Sequence, residues 1–298
     1  MIEMRDELFE GYQCLRLENQ QISIWITKDV GPRIIGLSLA GGDNLMVVLP
    51  DAKIPVESGE DYWLRGGHRL WYGPERPETT YIADDQPLEI HSLQDGVKVY
   101  QPMDDATGIQ KILHISLDND SAEVNIEHEL LNKGSKPFQL APWAVTMLRP
   151  GGEAVLPLQV EQDDPNGLWP NRQLAFWPYT DIRSGYLELA NRAAVVKATM
   201  TTDALKIGAP NPIGWLAYRF QNTLFIKRSD YHPDREYLDR QSSSQIYCNP
   251  SVIELETLGP VVNLAPGKST LHHETWQVYH EGDWPEEILD LYKEILVS

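Results

Sequence analysis

Residues 63–78 concentrate charged, imidazole and aromatic side chains in one short segment. The run WLRGGHRLWYGPERPE holds His68, Arg69, Trp71 and Glu75 among glycines and prolines. It has neither a helical nor a strand period, which predicts an irregular loop. Planar donors, carboxylate acceptors and flat aromatic faces suit the hydroxyls and C–H faces of a carbohydrate. The segment therefore predicts a binding site, although the same residues could form structural Arg–Glu pairs around packed tryptophans.

A second candidate is the carboxylate pair Glu254 and Glu256, within residues 251–260. Alternate residues of a strand point to the same face, about 7 Å apart. In an open cleft one carboxylate can act as a general base while the other accepts hydrogen bonds from a ligand. On a solvated face the pair would have no such role, and the spacing alone favours neither interpretation.

Three further candidates, Lys206, Lys227 and His232, are isolated and lie next to predicted strand ends. Single cations at such positions commonly solvate a sheet edge. If Lys206, Lys227 and Arg228 faced the cleft, they would favour an anionic substrate.

No metal or cofactor site is predicted. The run His272-His273-Glu274 suggests metal ligands, but adjacent strand residues point to opposite faces. The sequence also lacks a P-loop, a dinucleotide fingerprint, a Gly-x-Ser-x-Gly elbow and a His-Glu-x-x-His motif.

The elements that must position these residues are strands. Apolar residues alternate with polar ones in segments such as 22–27 and 123–130, and turn residues separate the segments. Only residues 281–298 have a helical pattern, where Asp283 and Glu286 resemble a capping box. The sequence predicts one all-β domain over residues 1–298, made of two large antiparallel sheets with a C-terminal helix packed on them. Further strands are expected at residues 34–39, 97–101, 109–117, 138–148, 193–200, 214–220, 223–228, 252–258 and 270–279.

Composition excludes several classes of partner. The formal net charge of −19 opposes binding to nucleic acid and to anionic membranes. No segment has the ~20 apolar residues of a membrane span, and residues 1–20 lack the pattern of a signal peptide. With only two cysteines, the chain is expected to reside in the reducing cytoplasm.

Several motifs make the sequence resemble the aldose 1-epimerase (galactose mutarotase) superfamily. They are Gly-Pro-Arg-Ile-Ile-Gly at 31–36, the His68-Arg69 pair, the Asn-Lys-Gly-Ser turn with the following Pro-Phe-Gln-Leu-Ala-Pro-Trp within 121–150, and Leu-Glu-Thr at 255–257 before Leu-Ala-Pro-Gly at 264–267. The similarity spans nearly the whole chain and is greatest to an uncharacterised branch of that superfamily. It implies a galactose-mutarotase-like supersandwich and a small-molecule carbohydrate as ligand.

The resemblance also implies roles for individual residues. Glu256 matches the glutamate that acts as base at the anomeric hydroxyl, and Arg69 resembles the arginine that contacts sugar hydroxyls. The family's central histidine, which protonates the ring oxygen, is replaced near Trp143, and His68 and His232 are the available substitutes. Glu254, Glu256 and His68 are thus the catalytic candidates, and the cleft is expected to include Arg69, Trp71, Glu75, Trp143, Lys206, Lys227 and His232.

Three functions are compatible with this reading. The first is an epimerase-like enzyme that acts at the anomeric centre of a sugar. The second is a non-catalytic carbohydrate-binding or sensing domain that has lost the acid. The third, a glycan lyase or hydrolase, would need Glu254 and Glu256 to flank one bond, which two residues of a single strand do poorly.

Overall fold

A computed structural model describes residues 2–56, 61–160 and 164–297, and within these ranges two large antiparallel sheets make up the fold. The strands are numbered in chain order. The first sheet contains β1 (Glu3–Phe9), β2 (Tyr12–Glu18), β3 (Ile22–Thr27), β4 (Arg33–Leu39), β5 (Val48–Ile54), β6 (Tyr62–Gly73), β11 (Phe138–Leu148), β13 (Ala175–Phe176), β16 (Leu205–Ala209), β19 (Ser244–Asn249), β20 (Val252–Leu258) and β21 (Val262–Leu264). The second contains β7 (Glu89–Ser92), β8 (Gly96–Tyr100), β9 (Ile109–Leu117), β10 (Glu123–Asn132), β12 (Glu153–Pro157), β14 (Leu187–Leu189), β15 (Ala193–Lys197), β17 (Trp215–Phe220), β18 (Thr223–Ser229) and β22 (Ser269–His280).

The period-two pattern finds the strands because one face of each sheet packs against the other sheet. Ile22, Ile24 and Ile26 of β3 and Val124 and Ile126 of β10 belong to one buried apolar cluster between the sheets. The prediction of two large antiparallel sheets is confirmed. The alternation also predicts that the other face of β3 is exposed to solvent, but this face is covered, because Trp25 stacks on Phe9 with ring centroids 4.3 Å apart.

The predicted C-terminal helix is also present, as α3 (Glu286–Val297). Ile288, Leu291 and Tyr292 pack on the outer face of the second sheet, against residues of β12, β17 and β18. The helix begins three residues after Asp283, so Asp283 does not lie at its N-cap. The described residues also contain two short helical turns, α1 (Pro77–Thr80) and α2 (Leu238–Gln241). None of the helices in the described residues is long and apolar enough to cross a membrane.

The prediction of an irregular loop over residues 63–78 is wrong for most of the segment. Residues 62–73 form β6, which pairs with β11 from Gly67 opposite Met147 to Gly73 opposite Ala141. The glycines that suggested a loop permit a close approach within the strand. A Cβ atom on Gly66 would lie 2.0 Å from the Val47 carbonyl oxygen, and one on Gly67 would lie 2.3 Å from that of Ile34.

A layer of buried polar groups links the two sheets beneath the centre of the first. Lys227 of β18 is fully buried, and its ammonium donates to the carbonyl oxygens of Ala144 on β11 and Leu255 on β20, each at 3.0 Å. It also bonds to Thr146 Oγ1 at 2.9 Å and pairs with Glu274 of β22 at 2.9 Å. Lys227 therefore holds β11 and β20 at a fixed height above the second sheet.

We predict that Lys227→Met destabilises the protein by about 3–5 kcal/mol, because the substitution leaves the Glu274 carboxylate buried without its cation. Adding Glu274→Gln should recover much of this loss, since the uncompensated charge is then removed. Urea unfolding at pH 7 measures both variants. Equal losses in the single and the double variant would contradict the explanation.

Candidate functional site

Five neighbouring strands of the first sheet form the floor of the candidate site. Their order is β6, β11, β20, β19 and β16. The register aligns Arg69 with Val145 and Glu256 across the first three strands. It also aligns Glu254 with Tyr247 and Lys206 across the last three. Since alternate residues share a face, all of these side chains project from the face that points away from the second sheet.

This face borders a cavity of about 530 Å³, within the range of small-molecule sites. Six residues predicted from the sequence line the cavity: Arg69, Trp71, Glu75, Trp143, Lys206 and Glu254. Glu256 is fully buried next to them, and Glu75 lies exposed at the rim. The structure thus brings seven of the predicted site residues together.

Arg69 and Glu254 form the first charged pair of the site. Arg69 Nη2 lies 3.4 Å from Glu254 Oε1, and both residues are buried. The guanidinium group lies 3.8 Å over the ring of Trp71, which fixes its plane through a cation–π contact. Two other nitrogens of Arg69, Nε and Nη1, are buried and have no hydrogen-bond partner among the described residues.

Glu256 forms the second charged pair with Lys206. Its Oε2 accepts hydrogen bonds from Lys206 Nζ and from Trp143 Nε1, each at 2.7 Å. The Lys206 ammonium also lies 4.9 Å from the ring centroid of Trp143 and 4.8 Å from that of Trp177. Glu256 is therefore held in place by a cation and an indole, and it orients the Trp143 ring in the wall.

Glu254 is the carboxyl group with the most unusual electrostatics. Burial raises its pKa to about 7; Arg69 opposes this shift, and the neighbouring Glu256 carboxylate adds to it. A carboxyl group with this pKa is present in both protonation states at neutral pH. Such a group can take up or release a proton during a reaction.

Aromatic rings supply the rest of the wall. Trp71 and Trp143 meet with ring centroids 5.2 Å apart, and Tyr81 packs on Trp71 at 5.6 Å. Tyr179 and Tyr247 also line the cavity. Burial raises the pKa of Tyr81, Tyr179 and Tyr247, so their hydroxyls stay protonated and can donate hydrogen bonds. The Tyr81 hydroxyl donates to Glu75 at the rim.

His68 does not reach the cavity. Because residues 62–73 form a strand, His68 and Arg69 project from opposite faces, and His68 is fully buried between the sheets against Trp276. Its Nε2 lies 2.8 Å from His128 Nε2, and its Nδ1 lies 2.9 Å from Thr146 Oγ1. Substrate protonation by His68 would therefore require a path through the sheet.

The hydrogen bonds around His68 define its tautomer. His128 Nδ1 lies 2.9 Å from the carbonyl oxygen of His272, which can only accept, so this nitrogen carries the proton. His128 Nε2 must then accept from His68 Nε2, and His68 Nδ1 accepts from Thr146. Burial lowers the pKa of His68 and lowers those of His128 and His272 to about 3, which keeps all three rings neutral.

Two more predicted residues lie outside the cavity. Lys227 places its ammonium group between the sheets. His232 is exposed in the segment after β18, where its backbone N–H donates to the Tyr237 hydroxyl. We therefore leave His68, Lys227 and His232 out of the proposed site.

One group of buried residues has spacing compatible with a metal ion. The nearest ligand atoms of His68, His128 and Glu274 lie within 4.8 Å of one another. The Lys227 ammonium already pairs with Glu274, and the two imidazoles bond to each other, so the ligand atoms have other partners. We assign no metal to this group.

The sequence analysis missed Tyr81, Trp177, Tyr179 and Tyr247. Tyr247 could have been found, since a short hairpin connects β19 to β20 and places it opposite Glu254. Trp177 and Tyr179 lie in an irregular segment beside β13, where no period reveals which way a side chain points.

Solved structures share this fold, although no protein-family model matches the sequence and no curated protein is similar to it. A protein from Klebsiella pneumoniae, provisionally assigned as an aldose 1-epimerase, has a TM-score of 0.63 at 12% identity, over 99% of this chain and 87% of that chain. A galactose mutarotase-like protein from Lactobacillus casei has a TM-score of 0.56 at 12% identity, over 89% of this chain and 100% of that chain. A similar protein from Clostridium acetobutylicum has a TM-score of 0.54 at 12% identity, over 94% of this chain and 99% of that chain.

These comparisons define the class of fold. The chain has the galactose mutarotase-like β-sandwich, and the resemblance predicted from the sequence is confirmed at that level. At such low sequence identity the comparisons establish the fold but not the activity, and the activity must be inferred from the residues of the cavity.

The neutral histidines predict acid sensitivity. Their pKa values are lower in the folded state than the ordinary value of 6.5, so unfolding takes up protons below that pH. We predict that the free energy of unfolding falls as the pH drops from about 6.5 towards 3, by up to about 1.4 kcal/mol per pH unit for each histidine. His272→Gln should reduce the slope of a urea-unfolding series recorded across this pH range. Identical slopes in the wild type and His272→Gln would contradict this prediction.

We also predict that Glu256→Gln lowers the pKa of Glu254 below its value of about 7. The substitution removes a neighbouring negative charge and leaves the Lys206 cation without its carboxylate partner, and both changes favour ionised Glu254. NMR titration of carbon-13-labelled glutamate side chains measures this pKa. Glu127→Gln on the second sheet is the control, and an unchanged Glu254 titration in Glu256→Gln would refute the coupling.

Proposed function

We propose that the cavity binds a carbohydrate and that Glu254 catalyses the interconversion of its anomers. The observation that carries this proposal is a buried carboxyl group with a pKa of about 7 in a wall of tryptophan and tyrosine rings. The rings offer flat faces to the C–H surfaces of a sugar. Arg69, Lys206 and the tyrosine hydroxyls offer hydrogen-bond donors to its oxygens.

A protonated Glu254 can carry out the reaction without a second acid. Its carbonyl oxygen accepts the proton of the anomeric hydroxyl while its O–H group donates a proton to the ring oxygen. The bond between the anomeric carbon and the ring oxygen breaks, which leaves an open-chain aldehyde and a carboxyl group with its proton on the other oxygen. Rotation of the aldehyde and the reverse transfer close the ring as either anomer.

The geometry of the two groups suits this exchange. The two oxygens of a carboxyl group share one carbon, and so do the hydroxyl and ring oxygens of the anomeric centre. One carboxyl group can therefore contact both sugar oxygens at once. In this scheme Glu256 touches no substrate atom and acts as a positioning residue, because its charge favours the protonated form of Glu254.

A non-catalytic carbohydrate-binding domain is the second candidate function. It is favoured by the fact that no histidine is among the described residues that line the cavity, so the separate acid implied by the family resemblance is missing. A binding domain would keep the aromatic walls and the charged pairs but would not accelerate exchange. The two functions differ in whether Glu254 is needed for turnover or only for affinity.

We predict that Glu254→Gln lowers the rate of anomeric exchange by at least ~10²-fold, because the amide cannot transfer protons in this way. Exchange is measured by NMR saturation transfer with neutral sugars, uronic acids and sugar phosphates. The wild-type rate should fall above pH 7, since ionised Glu254 has no proton to donate. Glu89→Gln, an exposed substitution on β7, is the control.

The two functions give different results in this experiment. Binding without accelerated exchange in the wild type would support the binding domain. Exchange that survives in Glu254→Gln would show that another group transfers the protons.

A further inference from the structure

We propose that the sugar carries an anionic group, a carboxylate or a phosphate, and that Arg69 binds it. This inference rests on the proposed function of the cavity and adds the class of substrate.

Arg69 lacks acceptors for most of its N–H groups. The residue is only 3% exposed, yet its single side-chain acceptor among the described residues is Glu254, at 3.4 Å. Its Nε and Nη1 are buried without a partner. A guanidinium group has five N–H donors and binds planar anions through two of them at once. The unpaired donors of a buried arginine in a cavity wall therefore point to an acceptor supplied by the ligand.

Other buried cations of the protein are better satisfied. Arg33 is fully buried and donates to four acceptors: the carbonyl oxygens of Leu64 and Gly66, the Tyr62 hydroxyl and Asp84. Lys206, the other cation that lines the cavity, pairs with Glu256 at 2.7 Å. Arg33 has one buried nitrogen without a partner, Nε, whereas Arg69 has two, Nε and Nη1, so among the described residues the deficit of acceptors is greater at Arg69.

The position of Arg69 suits an anion at the sixth carbon of a pyranose. The sixth carbon is bonded to the fifth carbon, which is bonded to the ring oxygen. The ring oxygen is bonded in turn to the anomeric carbon. An anion held by Arg69 would thus bring the ring oxygen and the anomeric hydroxyl towards Glu254, which contacts Arg69 directly. One arginine would then select the substrate class and orient the reacting centre.

Binding of an anion would also change the protonation of Glu254. The ligand would compete with the Glu254 carboxylate for Arg69 and add a negative charge beside it, and both effects favour the protonated carboxyl group. That form is the one used in the proposed reaction. Affinity for an anionic sugar should therefore fall as the pH rises through the pKa of about 7 of Glu254, whereas affinity for a neutral sugar should not.

Calorimetry with three matched ligands tests this inference. The probes are glucose, glucuronate and glucose 6-phosphate, each at pH 6.5 and pH 8.5. We expect glucuronate, glucose 6-phosphate or both to bind at least tenfold more tightly than glucose at pH 6.5, and we expect this preference to shrink at pH 8.5. The two anions distinguish a carboxylate site from a phosphate site.

Variants of Arg69 test whether this residue is responsible. Arg69→Met should remove the preference for anions, and Arg69→Lys should keep part of it, since lysine retains the charge but not the two-pronged geometry. Arg69→Gln serves as a second neutral variant if Arg69→Met does not fold. Lys98→Met, at a partly exposed ion pair on β8, should leave the preference unchanged.

The outcomes separate this inference from the proposed function. Equal or tighter binding of glucose, or an anion preference that survives in a folded neutral variant of Arg69, would overturn the inference, even if exchange of neutral sugars is accelerated. Anion-selective binding that depends on Arg69 would support the inference, even if no sugar undergoes accelerated exchange and the proposed reaction fails.

Discussion

Two carboxylate side chains on one face of β20 are the constraint around which the site is arranged. Burying Glu254 and Glu256 side by side costs free energy unless each has partners. Lys206 and Trp143 stabilise Glu256, and the more distant Arg69 contact supports Glu254 less well. Burial therefore raises the pKa of Glu254 to about 7; the Arg69 contact only partly opposes this shift, and the neighbouring Glu256 carboxylate adds to it.

The alternation of side chains along the strands divides the polar residues into two separate groups. On the outer face, Arg69 and Trp71 join the cavity. On the inner face, His68 joins Lys227 and Glu274 in the layer between the sheets. The inner group holds β11 and β20 through bonds to backbone carbonyl oxygens and so supports the strands that carry Trp143, Glu254 and Glu256. His68, which is next to Arg69 in the sequence, therefore belongs to the layer that supports the site and not to the cavity wall.

The fold could be predicted from the sequence more completely than the site. The period of two and the family resemblance both predict the β-sandwich. The period is visible because a strand that buries one face alternates apolar and polar residues along the sequence. Glu254 and Glu256 were found for the same reason. Residues 62–73 form a strand, but their glycines and many polar residues give no period of two, so the strand was not predicted from the sequence. Without the strand, the sequence did not reveal that His68 and Arg69 project from opposite faces. Tyr179 lines the cavity and Trp177 lies next to the Lys206 ammonium, and both come from an irregular segment, where only the folded chain gives the direction of a side chain.

The environment of Glu254 also bears on the missing histidine. A separate acid and base are needed when each group is fixed in one protonation state. In the reaction that we propose, the Glu254 carboxyl group, whose pKa is about 7, supplies both functions, one on each oxygen, so that no second residue is required for the proton transfer. The chain as a whole carries a net charge of −19, so an anionic sugar would meet a repulsive field on approach. Selectivity for such a ligand must then come from short-range contacts with a desolvated cation, and Arg69 in the cavity wall has two buried nitrogens without an acceptor among the described residues.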